Sequence, residues 1–143
     1  MQTSATVLSG ARLRTWCLSF ATDFSGMDMT SCAMDQTLLG SLAATQAWAS
    51  DIWGPANEFC LTNRRPERFY SDVRAKDLPG PPLHIYVAGP PCQPWARGGK
   101  QLGRKDHRAP LLDQVLRTIE SCRPIAFLPR AAGRLQDART PPA

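Results

Sequence analysis

The sequence has no long apolar run, no closely paired cysteines and no internal repeat. No uninterrupted apolar run in the 143 residues approaches the roughly 18 residues of a membrane-spanning helix, so we expect no membrane segment. Cysteines stand at positions 17, 32, 60, 92 and 122 without a C-x-x-C pair, which indicates neither a zinc site nor a disulfide framework. We therefore expect reduced thiols, no metal and an intracellular location, the nucleus if the source is eukaryotic.

Acidic residues are outnumbered by basic ones. The chain has 17 Lys and Arg against 12 Asp and Glu, a net charge of +5 and a pI near 9.3. This balance favours an anionic partner such as DNA. The length suits one domain with a real core, and we expect it at residues 15–128, between an irregular start at 1–14 and a Pro- and Arg-rich tail at 129–143.

The most informative stretch is LHIYVAGPPCQPW, residues 83–95. Its first six residues are typical of a short buried strand, which Gly89 and three prolines end abruptly. Cys92 would thus lie just past the carboxyl end of a strand, the edge where open α/β sheets bind ligands. Because prolines fix φ, this turn could hold a nucleophilic thiol at a set angle. The alternative is a buried structural cysteine in a proline-rich turn.

Strands and helices alternate along the rest of the chain. The clearest helix has one apolar stripe and spans residues 111–122. Further helices are predicted at 29–42 and 55–63, and strands at 15–22, 45–52, 68–73, 83–88 and 123–128.

Residues 89–95, GPPCQPW, resemble the catalytic-loop motif of the DNA cytosine-5 methyltransferases, usually written G-F-P-C-Q-P-F-S. A cysteine followed by Gln-Pro and an aromatic residue, after a proline and a nearby glycine, is a specific signal. The resemblance covers roughly residues 15–128. It implies an α/β, Rossmann-like S-adenosylmethionine-dependent methyltransferase fold, incomplete here, with a mostly parallel sheet and helices on both faces.

A second motif, TDFSGMDM at residues 22–29, is similar to the family's cofactor-binding segment D-L-F-S-G-x-G-G. The match implies that Phe24, Ser25 and Gly26 bind S-adenosylmethionine. A glycine there lets the backbone approach a cofactor closely.

The same segment departs from the family pattern at both ends. The family's leading aspartate is Thr22 here or has moved to Asp23, and Asp28 and Met29 replace its later glycines. We expect these changes to weaken cofactor binding.

Two further predicted strands end in aspartates that the resemblance assigns to the cofactor. Asp51 would accept hydrogen bonds from the ribose diol, with Ile52 near adenine. Asp72 and Val73 match the family's pair that recognises the adenine amino group, and Pro91 completes the implied cofactor set. The alternative is that both carboxylates are ordinary exposed loop residues.

Residues 96–108 are basic and glycine-rich without hydrophobic anchors, so we expect a mobile loop that pairs with DNA phosphates. The family has a similar closing loop that ends in D-x-R-G-x-L, which Asp106, Arg108 and Leu111 match. The alternative is a disordered surface loop. The DNA-contacting residues implied here are Gln93, Arg97, Lys100, Arg104 and Arg108.

In the family mechanism that the resemblance implies, the Cys92 thiolate adds to C6 of a flipped cytosine, and C5 then takes the methyl group from S-adenosylmethionine. The family continues after its fifth strand into Glu-Asn-Val, whose glutamate is the second catalytic group. This chain reads Pro129-Arg130-Ala131 instead, so we expect impaired transfer. A shift of reading frame near residue 129 would explain the break, and sequencing the transcript tests it.

Two other functions remain open from the sequence. The chain could be a non-catalytic remnant that binds nucleic acid or a protein partner, and affinity for S-adenosylmethionine would discriminate this from an enzyme. It could also methylate cytosine in RNA, because the same thiol chemistry suits either nucleic acid. The oligomeric state is not indicated.

Overall fold

The computed structural model describes residues 17–38, 43–96 and 101–129, and within them the chain alternates strands with helices. The strands are β1 (Cys17–Asp23), β2 (Ala43–Ser50), β3 (Phe69–Tyr70), β4 (Ile85–Ala88) and β5 (Ala126–Pro129). The helices are α1 (Met29–Leu38), α2 (Gly54–Asn63) and α3 (Pro110–Cys122). None of these helices is long and apolar enough to cross a membrane.

The five strands form one sheet in the order β3-β2-β1-β4-β5, and every pairing is parallel. The chain moves outward from β1 to β3 and then returns to the other side of β1 with β4. The strand order therefore reverses between β1 and β4, and in open α/β sheets ligands bind in the crevice beyond the strand ends at such a switch point. The α/β, Rossmann-like prediction with a mostly parallel sheet is confirmed.

A bulge in β2 distributes its side chains between the two faces of the sheet. The register against β1 shifts by one residue after Phe20, which makes Ala47 an extra residue. Gln46 and Trp48 consequently point to opposite faces, although an undisturbed strand would place both on one face. Gln46 reaches the turn before α1, whereas Trp48 enters the core beneath α3. Helices thus flank both faces, as predicted.

The core beneath α3 is centred on aromatic side chains. Tyr86 is fully buried, stacks on Phe127 with ring centroids 5.6 Å apart, and lies tilted against Trp48 at 6.4 Å. Val115 and Cys122 of α3 cover them. Large aromatic rings bury roughly 150–250 Å² each, so this cluster dominates the packing on that face.

The predicted element boundaries were less accurate than the element types. The third strand was predicted over residues 68–73, but β3 contains only Phe69 and Tyr70. The strand stops because Asp72 accepts a hydrogen bond from the N–H of Arg74 at 2.8 Å and starts a 3-10 turn at Val73–Ala75. The first helix ends at Leu38 within the described residues, and positions 39–42 of the prediction lie outside them. The predicted irregular start and most of the predicted tail also lie outside the described residues.

Residues 101–108 have backbone and charged contacts that the sequence did not predict. This segment contains a 3-10 turn at Gly103–Lys105, and the N–H of Gly103 donates to the carbonyl of Pro94 at 2.9 Å. The buried carboxylate of Asp106 accepts three hydrogen bonds from Arg108. Backbone and charged groups therefore anchor a segment that has no apolar anchor. Its mobility stays a prediction.

Candidate active site

Cys92 lies in the turn that follows β4. Its carbonyl accepts hydrogen bonds from the N–H groups of Trp95 and Ala96 at 2.9 and 2.8 Å, which closes the turn, and Gln93 is exposed at its tip. The Cys92 side chain is only half-buried. Cys60 shows the contrasting case, because burial raises the pKa of its thiol to about 11. The alternative of a fully buried structural cysteine thus describes Cys60 and not Cys92.

A cavity of about 330 Å³ lies beyond the carboxyl ends of the strands, next to the Cys92 turn. Six of the eight predicted cofactor residues line it: Phe24, Asp51, Ile52, Asp72, Val73 and Pro91. The other two, Ser25 and Gly26, lie in the turn between β1 and α1. The structure therefore brings together residues from four separate segments of the sequence around one cavity.

Five more residues line the cavity without having been predicted as cofactor contacts: Ser50, Arg74, His107, Arg108 and Leu111. Leu111 and Arg108 already matched the family's closing-loop pattern, but nothing in the sequence indicated that this loop reaches the cofactor side. His107 gave no signal in the sequence. Its position depends on the anchored fold of residues 101–108.

Asp51 connects the turn after β1 to the end of β2. Its Oδ2 accepts a hydrogen bond from the N–H of Gly26 at 2.7 Å, and its Oδ1 accepts one from the N–H of Trp53 at 2.9 Å. A carboxylate has about four lone-pair sites, so each oxygen can accept one more bond from a ligand. Asp51 is therefore oriented by backbone groups while it lines the cavity.

Asp72 is oriented by its neighbour Arg74. The guanidinium donates to both carboxylate oxygens, with Nη2 at 2.6 Å from Oδ2. These hydrogen bonds lower the pKa of Asp72, so the carboxylate is an anionic acceptor at neutral pH. Asp72 lines the cavity from the turn after β3 and not from the strand itself.

The segment 101–108 places Arg108 at the cavity. Asp106 accepts hydrogen bonds from the backbone N–H and Nε of Arg108, both at 2.9 Å, and from Nη2 at 2.8 Å. These bonds hold the pKa of Asp106 well below its usual range. They also raise the pKa of Arg108. Arg108 thus lines the cavity as a guanidinium held in place by Asp106.

The other predicted DNA contacts are more dispersed. Arg104 is exposed and donates to Asp113 at 3.0 Å on the first turns of α3. Arg97 and Lys100 lie outside the described residues. The structure therefore groups Gln93 and Arg108 near Cys92, and the DNA-contacting roles of all five residues stay predictions.

Comparison with known proteins identifies the family. Residues 19–129 match the family model for C-5 cytosine-specific DNA methylase, which is most of the chain. The chain belongs to this family. The matched region contains every described strand end around the cavity, together with Cys92.

Individual members of the C-5 cytosine-specific DNA methylase family are similar at moderate identity. The type II methyltransferases M.NlaIV of Neisseria lactamica and M.NgoBV of Neisseria gonorrhoeae are each 30% identical over 115 residues, which is 78% of this chain. M1.ScrFI of Lactococcus lactis subsp. cremoris is 38% identical over 63 residues, covering 44% of this chain and 16% of its own length. The chain spans 27% of the length of the two Neisseria relatives.

The cavity fits the adenosine part of the cofactor that this DNA methylase family implies. Phe24, Ile52 and Val73 contribute apolar surface to the cavity, and Asp51 and Asp72 contribute carboxylates. Its volume lies in the range of about 300–1,000 Å³ usual for small-molecule sites. The residues present therefore suit S-adenosylmethionine.

Asp28 occupies a position where DNA methylases of this family have a glycine, and it does so without entering the cavity. Its φ is +50°, in the left-handed region that Asp tolerates better than most residues. The carboxylate is buried on the opposite face of the sheet and accepts a hydrogen bond from Gln46 at 2.6 Å. Burial raises the pKa of Asp28, which the bond from Gln46 only partly offsets. The Asp28 side chain therefore lies outside the cavity, and its effect on cofactor binding stays a prediction.

Proposed function

We propose that this chain carries the nucleophile and the cofactor site of a DNA cytosine-5 methyltransferase and transfers a methyl group from S-adenosylmethionine to C5 of cytosine in DNA with low turnover. The observation that supports it is the cavity at the β1/β4 switch point. Six predicted cofactor residues line this cavity, and Pro91 among them is the neighbour of Cys92. A methyl donor seated there would lie beside the thiol.

The residues present account for the nucleophilic step. The Cys92 thiolate would add to C6 of cytosine, forming an S–C6 bond while the electrons of the C5–C6 double bond make C5 nucleophilic. Bound S-adenosylmethionine would supply the methyl group to C5. Loss of the C5 proton to a base re-forms the double bond and releases Cys92. The target base must leave the duplex for the thiol to reach C6.

The proposed low turnover follows from the end of β5. The strand ends at Pro129, where the family resemblance implies a glutamate, and the chain continues with Arg130. General acid help of this kind is typically worth about 10²–10⁴-fold. This same feature favours a second candidate function, a non-catalytic remnant that keeps the cavity and the basic segment.

A methyl-transfer assay on cytosine-containing DNA with radiolabelled S-adenosylmethionine tests the proposal. We expect slow incorporation by the wild-type chain and none by Cys92→Ala. Cys32→Ala is the matched control, because Cys32 is another half-buried thiol but lies in α1 and not in the turn beside Pro91. Equal incorporation by wild type and Cys92→Ala would show that Cys92 is not the nucleophile.

Calorimetric titration with S-adenosylmethionine separates the enzyme from the remnant. Binding by the wild-type chain, weakened about tenfold or more in Asp72→Ala, is the expected result, since a hydrogen bond to a charged group is worth about 1.5–3 kcal/mol. A wild-type chain without affinity would favour the remnant. We also propose an intracellular location, which the five free thiols support.

A further inference from the structure

A buried ion pair lies next to the cavity lining, because Asp23 directly precedes Phe24. Asp23, the last residue of β1, pairs with Lys76, and their side chains are 0% and 3% exposed. Neither residue lines the cavity, and neither has a role in the proposed chemistry. Burying two charges is costly unless their remaining hydrogen-bonding groups also find partners, so the surroundings of this pair require explanation.

The carboxylate of Asp23 is fully bonded by two neighbouring strands. Its Oδ1 accepts hydrogen bonds from Trp48 Nε1 at 3.1 Å and from Ser50 Oγ at 2.7 Å, both on β2. Its Oδ2 accepts from the hydroxyl of Tyr86 on β4, in addition to Lys76. One carboxylate at the centre of the sheet therefore holds the strands on either side of it.

Lys76 extends this network to a third region. Its Nζ donates to Thr118 Oγ1 on α3 at 2.8 Å and lies over the rings of Trp48 and Tyr86, at 5.3 and 5.6 Å from their centroids. Lys76 follows the 3-10 turn that begins at Asp72. The ammonium group thus ties the segment carrying this cavity residue to the core.

Each strand in the network leads directly into the candidate site. Asp23 precedes Phe24, Ser50 is the last residue of β2, and the strand of Tyr86 continues to the Cys92 turn. The carbonyl of Asp23 also accepts a hydrogen bond from the N–H of Gly89 at 3.2 Å, where that turn starts. Directional bonds from one residue therefore set the relative positions of three strand ends.

We propose that Asp23 and Lys76 are positioning residues that hold the cofactor cavity and the Cys92 turn in register. This inference rests on the proposed function. Aligning Phe24-Ser25-Gly26 with F-S-G places Asp23 where the family pattern D-L-F-S-G has leucine. An apolar pair would fill the same core without the cost of desolvation, but it would not fix the strand ends by directional bonds.

The test is the double variant Asp23→Leu with Lys76→Met. Leu cannot accept hydrogen bonds from Trp48, Ser50 or Tyr86, and Met fills the space of the lysine stem. Calorimetry should give a dissociation constant for S-adenosylmethionine at least about fivefold higher than that of wild type. The single variant Lys76→Arg keeps Asp23 and the positive charge. Its loss of affinity should therefore be smaller than that of the double variant.

Phe20→Leu is the stability control, because Phe20 is buried in β1 but lies outside the aromatic cluster and forms none of the hydrogen bonds of the ion pair. We expect this variant to melt at a lower temperature but to bind S-adenosylmethionine as tightly as wild type once folded. Unchanged affinity in the folded double variant would overturn the positioning role, and so would an equal loss in Phe20→Leu. Should the double variant not fold, Tyr86→Phe provides the test, because it removes one donor to Asp23. The affinity of Tyr86→Phe for S-adenosylmethionine must then be at least about twofold lower than that of wild type.

A second readout keeps the inference distinguishable from the proposed function. If wild type itself does not bind S-adenosylmethionine, the proposed function fails, and the rate of Cys92 alkylation by iodoacetamide still reports the geometry of its turn. Cys92 is the only cysteine between Arg74 and Arg97, so one tryptic peptide isolates it. We expect the alkylation rate of the double variant to differ from that of wild type at least about twofold, with that of Phe20→Leu unchanged. Equal rates in wild type and the double variant would overturn the inference.

Discussion

The backbone N–H of Gly26 donates to Oδ2 of Asp51 across 2.7 Å, and this contact joins the turn after β1 to the end of β2. Both residues were predicted from the sequence as cofactor contacts, but for separate reasons. The structure shows that one also orients the other. A substitution of Asp51 should therefore affect the cavity twice, through the lost carboxylate and through the loosened turn.

We expect Asp51→Ala to weaken binding of S-adenosylmethionine by about tenfold or more and to lower the free energy of unfolding by about 1–3 kcal/mol, because two backbone N–H groups lose their acceptor. Calorimetry and urea unfolding measure the two effects. Asp35→Ala is the control, since Asp35 is exposed and its contact with Arg64 is a loose 3.6 Å pair. Wild-type affinity in Asp51→Ala would remove Asp51 from the cofactor site.

The packing of Trp48 depends on Gly80. We expect Gly80→Ala to destabilise the fold by about 1–3 kcal/mol, because the new Cβ would lie 2.8 Å from the indole ring and 3.4 Å from Cys122 Sγ. Gly54→Ala is the matched control at the start of α2, where an added Cβ would meet nothing within 4 Å. That change should be neutral or stabilising by up to about 1 kcal/mol. Similar thermal unfolding of the two variants would contradict this account of the packing.

Asp28 should make the fold less stable as the pH rises. Burial raises the pKa of Asp28 above its unfolded value of 3.8, so its stabilising contribution is complete below that value and is lost as the pH increases through the folded pKa. Asp28→Asn cannot ionise, and its amide could donate to Gln46 Oε1, which has no hydrogen-bond partner within the described residues. We expect a gain of about 0.5–1.5 kcal/mol at pH 7 from that bond.

Urea unfolding of wild type and Asp28→Asn at several pH values checks this prediction. The difference between them should shrink towards pH 3.5, where the wild-type carboxyl is protonated and can itself donate a hydrogen bond. Asp35→Asn, at an exposed position, provides the control. A difference that is constant between pH 3.5 and 7 would show that ionisation of Asp28 is not the cause.

The pKa of Asp106 should depend on Arg108. Because hydrogen bonds from Arg108 lower the pKa of Asp106, the stabilising contribution of this carboxylate is present above its unfolded pKa and is lost as the pH falls towards the folded value. We expect Arg108→Met to return the pKa of Asp106 towards its ordinary range. Carboxyl carbon chemical shifts measure it, with Arg104→Met as control because Arg104 pairs with Asp113 instead. An Asp106 pKa equally depressed in Arg108→Met would refute the coupling.

Local patterns in the sequence were sufficient for the element types, the α/β class and the position of Cys92. An apolar, β-branched and aromatic run that ends in Gly89 and prolines is typical of a short strand followed by a rigid turn. Acids after two other strands meet at one edge once the strands are parallel. The resemblance of residues 89–95 to a family motif then predicted a cysteine nucleophile and methyl transfer. These features depend on neighbours in sequence, which is why they could be predicted.

Other features were decided only by the tertiary structure. Asp23 and Lys76 are 53 residues apart, and their pairing exists only because β1 lies in the middle of the sheet with the turn after β3 folded beneath α3. The bulge at Ala47 reverses which face Trp48 takes, and the anchoring of residues 101–108 uses bonds to Pro94 and within the segment itself. The sequence determined which groups stand at strand ends. Long-range packing decided which of these groups line the cavity and which hold its walls in place. The reason is that the role of a buried charge depends on its partners, and no local sequence pattern specifies those partners.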